Sequence, residues 1–282
     1  MFNLNGIGTP VFNIVGGKYN KQTVYVSNER NTNETVDGNN DISLYRDFKA
    51  LKLSEGHFEI NLNIQKNQRL VISLYGMSGS GKTYMLNEII ENMIKSWGSN
   101  INKILFFSKK YIEDEKSISD KVKKKKNFHQ IKLDDTMILD AYDLSNDSDK
   151  EEFKNSITIF DDINTLSVRD KRNKQIRDNV LEIRDDLLEV SRYLNTTVLC
   201  TEHLLTSGVQ NRALINESSH LILFTNNGMG MFQRYFSNYL GMTQKSIRAL
   251  NDICKNSRYV IIRKAVPTIY CTETEIGFIK NL

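Results

Sequence analysis

Cysteine and histidine are scarce in this chain, at three and four residues among 282. Cys200, Cys254 and Cys271 are scattered without metal-ligand spacing, and the histidines form no zinc pattern, which sets aside a zinc framework. Cys200 sits in an apolar run and Cys271 in a β-like run, so buried free thiols in a reducing compartment are expected. No apolar stretch approaches the length of a membrane span, and the N-terminus lacks the apolar core of a signal peptide. Neither a membrane partner nor secretion is therefore expected. Charge of one sign is also in short supply: the net value of +4 is too mild to imply nucleic acid by itself. No internal repeat is visible. What remains is ample chain for one α/β domain with additions.

Residues 76–83 read Gly-Met-Ser-Gly-Ser-Gly-Lys-Thr and match the phosphate-binding pattern G-x-x-x-x-G-K-[ST] at every specified position. The β-type run Leu70–Tyr75 precedes the octapeptide. After it, Met85, Leu86, Ile89, Ile90, Met93, Ile94 and Trp97 recur at helical spacing. Strand, glycine loop and helix are the context this motif requires. A triphosphate needs many backbone N–H groups brought close, and Gly76, Gly79 and Gly81 permit that approach. The loop feeds a helix N-terminus, where unpaired N–H groups and the macrodipole favour an anion. Met77, Ser78 and Ser80 complete the cradle. Lys82 supplies a charge for the β- and γ-phosphates, and the Thr83 hydroxyl suits Mg²⁺. The alternative is a glycine-rich turn with a capping threonine.

Elements alternate on either side of this loop. Strands are expected at 69–75, 103–108, 156–161, 196–202 and 220–225, with helices at 82–97 and about 169–194. Two helical pieces near 229–240 and 243–256 precede a β pair at 258–263 and 268–272. Such alternation implies a mainly parallel sheet with helices on its faces. Residues 1–66 carry short β-like pieces such as Thr23–Val26 and Phe58–Ile64, with a loop or disordered tip at Asn31–Asp41. They read as a β-rich N-terminal extension to an ATPase domain at 67–282. The segment 109–150 is highly charged and contains a lysine run at 121–126. That run and the basic start of the long helix (Arg169, Lys171, Arg172, Lys174, Arg177) could meet phosphate backbones, or form solvated faces.

Ser156–Asp162 has the form of a buried strand ending in two carboxylates. In a parallel sheet, ligands lie beyond the carboxyl ends of the strands, which would set Asp161 and Asp162 beside the loop. Asp161 suits the Mg²⁺ shell, and Asp162 suits the polarising of water for attack on the γ-phosphorus. A turn or helix cap is the plainer reading of the pair. Thr196–His203 is a further apolar strand with a polar end. If it lies next to the loop strand, Thr201 or Glu202 could reach the γ-phosphate; otherwise they form an exposed strand end. Arg192 and Arg212 are candidate fingers offered across a subunit boundary, although most arginines are solvated. On the long helix, Ile176, Val180, Ile183, Leu187 and Val190 form a core stripe.

The arrangement resembles the DNA-packaging ATPases of large DNA viruses, the poxvirus type, within the FtsK–HerA superfamily. The segments that carry the resemblance are Lys103–Lys109, Ile157–Ile163, Glu189–His203, Asn211–Phe224, Leu240–Leu250 and Tyr259–Tyr270, covering about 69–278. It implies a RecA-like P-loop fold of the ASCE type, with ATP and Mg²⁺ as cofactors. Lys82, Thr83, Asp161 and Asp162 would take the roles given above, and Arg192 and Arg212 would match two basic motifs. It further implies double-stranded DNA as partner, a homo-oligomeric ring (hexamer or pentamer), capsid contacts, and a place in the host cytoplasm, viral factory or virion. Two positions depart from the pattern: Glu202 stands where a Gln is usual, and Arg192-Tyr193 where Arg-His is usual. A carboxylate facing the γ-phosphate is unfavourable unless a cation or proton compensates it, which leaves Thr201 as the other candidate sensor. Rival readings are a helicase, recombination or DNA-transfer motor, a non-motor nucleotide switch, and a nucleotide kinase. The kinase lacks an evident lid with substrate-gripping arginines.

Overall fold

The computed structural model describes residues 2–27, 42–45, 50–62, 70–109, 117–203, 205, 211–225 and 229–279. The expected tip at 31–41 lies outside them. Two compact units are present, one formed by 1–63 with 225–282 and the other by 64–224. This grouping joins the chain's two ends, whereas the sequence reading divides it once, after residue 66.

The unit made of the two ends contains β1 (Phe2–Asn3), β2 (Thr9–Val15), β3 (Thr23–Val26), β4 (Ile42–Tyr45), β5 (Ala50–Leu53) and β6 (His57–Ile60) from its N-terminal part. An antiparallel sheet of order β1-β3-β2-β6 alternates inward Phe12 and Ile14 with less buried neighbours, as expected of strands with one face on a core.

The central unit begins with β7 (Val71–Tyr75) and α1 (Lys82–Trp97), then β8 (Lys103–Ser108), α2 (Asp120–Lys123), β9 (Phe128–Lys132), α3 (Thr136–Leu139) and α4 (Asp147–Phe153). It continues through β10 (Ser156–Asp161), α5 (Lys171–Leu194), β11 (Thr197–Glu202), α6 (Arg212–Glu217) and β12 (His220–Phe224). The strands lie in the order β12-β7-β11-β10-β8-β9, and every neighbouring pair is parallel. β7, β11 and β12 are buried at every residue, because helices on both faces exclude water. This is a P-loop NTPase fold, with β11 inserted between the loop strand β7 and the acid strand β10.

Local signals fix the helices. Leu86, Ile89, Ile90 and Met93 form the buried stripe of α1, which ends at Gly98 with φ 51°. α5 starts at Lys171, two residues later than the sequence suggests, because the Asp170 side chain caps it by accepting from the Arg172 N–H. It stops at Asn195, whose left-handed backbone (φ 52°) turns the chain into β11. β9 was not among the expected strands. It is a half-buried edge strand beside β8 inside a charged segment, so no apolar run announces it.

After β12 the end-formed unit resumes with α7 (Gln233–Asn238), α8 (Gln244–Cys254), β13 (Tyr259–Arg263), β14 (Ile269–Cys271) and β15 (Glu275–Phe278). Its second sheet runs β4-β5-β15-β14-β13 with antiparallel pairing throughout. Cys200, Cys254 and Cys271 are free and buried, as expected.

Candidate active site

Because β7, β10 and β11 run in one direction, their carboxyl ends open on a single edge, and the phosphate-binding loop leaves β7 at that edge. Loop and acids are linked through β11 by a short hydrogen-bond path. The Gly76 N–H donates to the Glu202 carbonyl at 3.2 Å. Thr201, in register with Asp161, donates from Oγ1 to Asp161 Oδ1 at 2.6 Å. The Asp162 N–H donates back to Thr201 Oγ1 at 3.0 Å and to the Thr201 carbonyl at 3.2 Å. One strand end thus couples the loop to both aspartates.

The loop glycines are needed for two different reasons. A Cβ on Gly76 would meet Ser80 Oγ at 2.7 Å and Phe224 Cβ at 2.8 Å, so close approach requires glycine there. Gly81 has φ +107°, a conformation that side-chain-bearing residues rarely adopt, and it opens α1. Met77, Ser78, Gly79 and Thr83 are exposed, while Ser80 and Lys82 are buried. Lys82 Nζ donates to the carbonyl of Gly76 at 2.6 Å and to that of Met77 at 3.3 Å. Burial lowers its pKa, and the charges of Asp162, Asp161 and Glu202 oppose that shift.

Asp161 is the last residue of β10, whereas Asp162 has a left-handed backbone (φ 50°, ψ 38°) and opens a short 3₁₀ turn at Ile163–Thr165. The turn lets two consecutive acids point different ways. Asp161 faces Thr201, and Asp162 Oδ2 lies 3.3 Å from His203 Nε2.

Glu202 is only 3 % exposed. Its Oε2 accepts from Asn164 Nδ2 at 2.6 Å, and Asn164 Nδ2 also reaches Asn211 Oδ1 at 3.3 Å. Its Oε1 lies 3.5 Å from Nη1 of Arg184, which is fully buried in the middle of α5 and whose Nη2 contacts Asp185 Oδ1 at 2.7 Å. Burial pushes the Glu202 carboxyl up to about 7; Arg184, the Asn164 hydrogen bond and Lys82 pull it down, and Asp162 adds to the rise. Arg184 is the cation that a buried carboxylate at this position calls for. The sequence reading missed it, along with Asn164, Asn211 and His203. A charged residue at 184, four after Val180 and three before Leu187 on the core stripe, was the available signal.

The two candidate fingers separate. Arg212, exposed at the start of α6, follows Asn211 and so belongs to the loop edge. Arg192 is exposed in the last turn of α5, where the chain turns into the start of β11. That is the opposite end of β11 from Glu202, about 17 Å away at ~3.3 Å per residue. Within one subunit Arg192 and the loop do not meet.

Among comparisons with known proteins, the family match bears on the loop's class. The sequence profile described as "KAP family P-loop domain" matches residues 58–256. A protein of the Sputnik virophage named "Uncharacterized protein V3" is 28% identical over 269 residues, covering 94% of this chain and 93% of that one. Among solved structures, the genome-packaging NTPase B204 of Sulfolobus turreted icosahedral virus 2, in complex with ATP-gammaS, is 12% identical with a TM-score of 0.47. That likeness covers 78% of this chain and 100% of the other. The cytoplasmic domain of the Thermomonospora curvata type VII secretion ATPase EccC is 13% identical with a TM-score of 0.45, covering 72% and 25% respectively.

Proposed function

We propose, for a chain that belongs to the KAP family of P-loop domains, an ATP-hydrolysing motor that drives double-stranded DNA into a capsid as a ring of identical subunits. The observation that carries the hydrolytic half is the hydrogen-bonded strand end at the loop edge, where Thr201 Oγ1 joins Asp161 to the Asp162 N–H and the Glu202 carbonyl receives the Gly76 N–H. A binding switch needs the loop; the additional acids at the phosphate end favour cleavage. The translocating half draws its support from the run of segments resembling packaging ATPases, and from a relative encoded by a virophage.

In this reading the amides of Gly76, Met77, Ser78, Gly79, Ser80 and Gly81 cradle the ATP phosphates, and Lys82 neutralises them. Thr83 and Asp161 would hold Mg²⁺. They offer hard oxygen donors in the small number this ion takes when phosphates complete its shell, and no cluster of three or more His, Cys, Asp or Glu is found among the described residues. When bound, the ion neutralises charge on the phosphates. Asp162 orients the attacking water. Thr201 and Glu202 sense the γ-phosphate position. Arg212 and Arg192 are offered to a neighbouring subunit's nucleotide, which couples cleavage to movement around the ring. No membrane partner is invoked, and no helix among the described residues is long and apolar enough to cross one.

The test is ATP hydrolysis by the purified chain with and without linear duplex DNA, at several salt concentrations. Duplex DNA should stimulate turnover, and the stimulation should fade as salt rises. Hydrolysis indifferent to duplex DNA would overturn the motor. Separation of strands would point to a helicase instead.

A further inference from the structure

Glu202 is an unusual residue to find at the end of the strand beside a phosphate-binding loop, because a carboxylate there repels the γ-phosphate. Its surroundings show how that cost is met. The side chain is almost wholly buried and receives a guanidinium on Oε1 and an amide on Oε2. The guanidinium is itself fixed, since Arg184 Nε donates to Asp185 Oδ1 at 2.9 Å and Nη2 lies 2.7 Å from the same oxygen. The amide is fixed as well, through Asn211, which is fully buried. One carboxylate oxygen is therefore hydrogen-bonded to an anchored amide and the other faces an anchored guanidinium at 3.5 Å, while the Glu202 backbone carbonyl holds the first loop glycine.

We propose that Arg184 is a positioning residue for the nucleotide site: from the middle of α5 it holds the Glu202 side chain in place at the end of β11, with Asn164 as the second clamp. This rests on the ATPase reading above. Arg184 shares its charge between Asp185 and Glu202, so the repulsion between Glu202 and phosphates is reduced rather than cancelled. Removing only the arginine leaves an uncompensated buried carboxylate, whereas removing both charges does not. Among the described residues, the charged or titratable groups that act on Glu202 are Arg184 from α5, itself bonded to Asp185, with Asp162 from the end of β10, Lys82 from α1, Tyr75 from β7 and Cys200 from β11.

Four full-length chains test this: wild type, Arg184→Met, Glu202→Gln and the double variant, with Arg184→Lys as a charge-retaining control. Arg184→Met should lower kcat about tenfold or more while KM for ATP and the Kd for MANT-ADP stay within about twofold. Its activity–pH curve should move to higher pH, and Glu202→Gln should lose that limb. The double variant should be no worse than Glu202→Gln alone, because the arginine acts through the glutamate. Arg184→Lys should recover part of the loss, since an ammonium keeps the charge but not the forked contact. If Arg184→Met does not fold, the double variant should regain solubility. The proposal is overturned if Arg184→Met matches wild type, if the losses in the double variant multiply, or if the double variant fails to fold while Glu202→Gln folds. A wild type that binds MANT-ADP but does not hydrolyse ATP would sink the ATPase reading instead. The non-additivity of thermal unfolding across the four chains would then still report on the pair.

Discussion

β10 and β11 deliver their acids to the same edge of the same sheet, yet the two strand ends hold those acids in different surroundings. Asp162 is about one-third exposed, has a turn of its own and lies against His203. Glu202 is buried, paired with a cation, and hydrogen-bonded through Asn164. A carboxylate partly open to solvent can meet water; a buried one must be compensated before it can remain charged at all. Under the proposed function the comparison divides the labour of the site: β10 would supply groups that meet metal and water, and β11 the frame that spaces them from the loop.

The largest expected effect removes the loop lysine, whose charge the acids of both strand ends favour. Lys82→Ala should lower ATP turnover by about 10³-fold or more while thermal unfolding stays near wild type, because the lysine serves the phosphates rather than the core. Substantial residual turnover would break the assignment of the loop. Asp162→Asn should cost on the order of 10²-fold in kcat with nucleotide binding retained, measured by hydrolysis beside MANT-ADP titration. Equal loss of binding and cleavage would make Asp162 structural and erase the contrast between the strand ends.

Thr201→Val sharpens the comparison, since this hydroxyl joins the two strands. It donates to Asp161 and accepts from the Asp162 N–H, so its loss should lower stability by about 1–3 kcal/mol and turnover by roughly tenfold. Unchanged unfolding would mean that the strand ends are held independently. The smallest effect is in pH. The Glu202 carboxyl, raised from 4.5 to about 7 by burial, binds a proton in the folded protein that the unfolded chain has already lost between those values. Its contribution to stability is therefore full below about pH 4.5 and is lost as pH rises through 7. Relative to Glu202→Gln, the wild-type melting temperature should fall across that window. Parallel melting curves for the two chains would remove Glu202 from the set of coupled charges.

The two basic segments considered as DNA contacts also prove to be separate. Lys124, Lys125 and Lys126 precede β9 at the amino-terminal edge of the sheet, where the Asn127 carbonyl receives the Ile104 N–H. The basic start of α5 follows the acids at the opposite edge, and part of its charge is engaged, with Arg172 bonded to Asp135 and Arg177 to Asp178. A run of like charges in sequence says nothing about the edge it will occupy.

Much of the central unit was legible because its signals are local. The bounds of α1, β8 and β10 fall where the apolar spacing sets them, and glycine chemistry alone marks the bend at 76–83. In the end-formed unit β3, β13 and β14 fall where the sequence suggests, whereas the short β5 and β15 were not legible, because each pairs with a strand from the other end of the chain. Neighbours along the chain decide where a helix starts, which loop can cradle phosphate, and which strand ends in acids. Only the folded sheet could decide that β11 lies between β7 and β10, that Arg192 and Arg212 fall at opposite edges, and that an arginine at 184 answers a glutamate at 202. The physical reason is range: propensity and periodicity act over a few residues, whereas the pairing of buried charges depends on which distant segments share a dry interior.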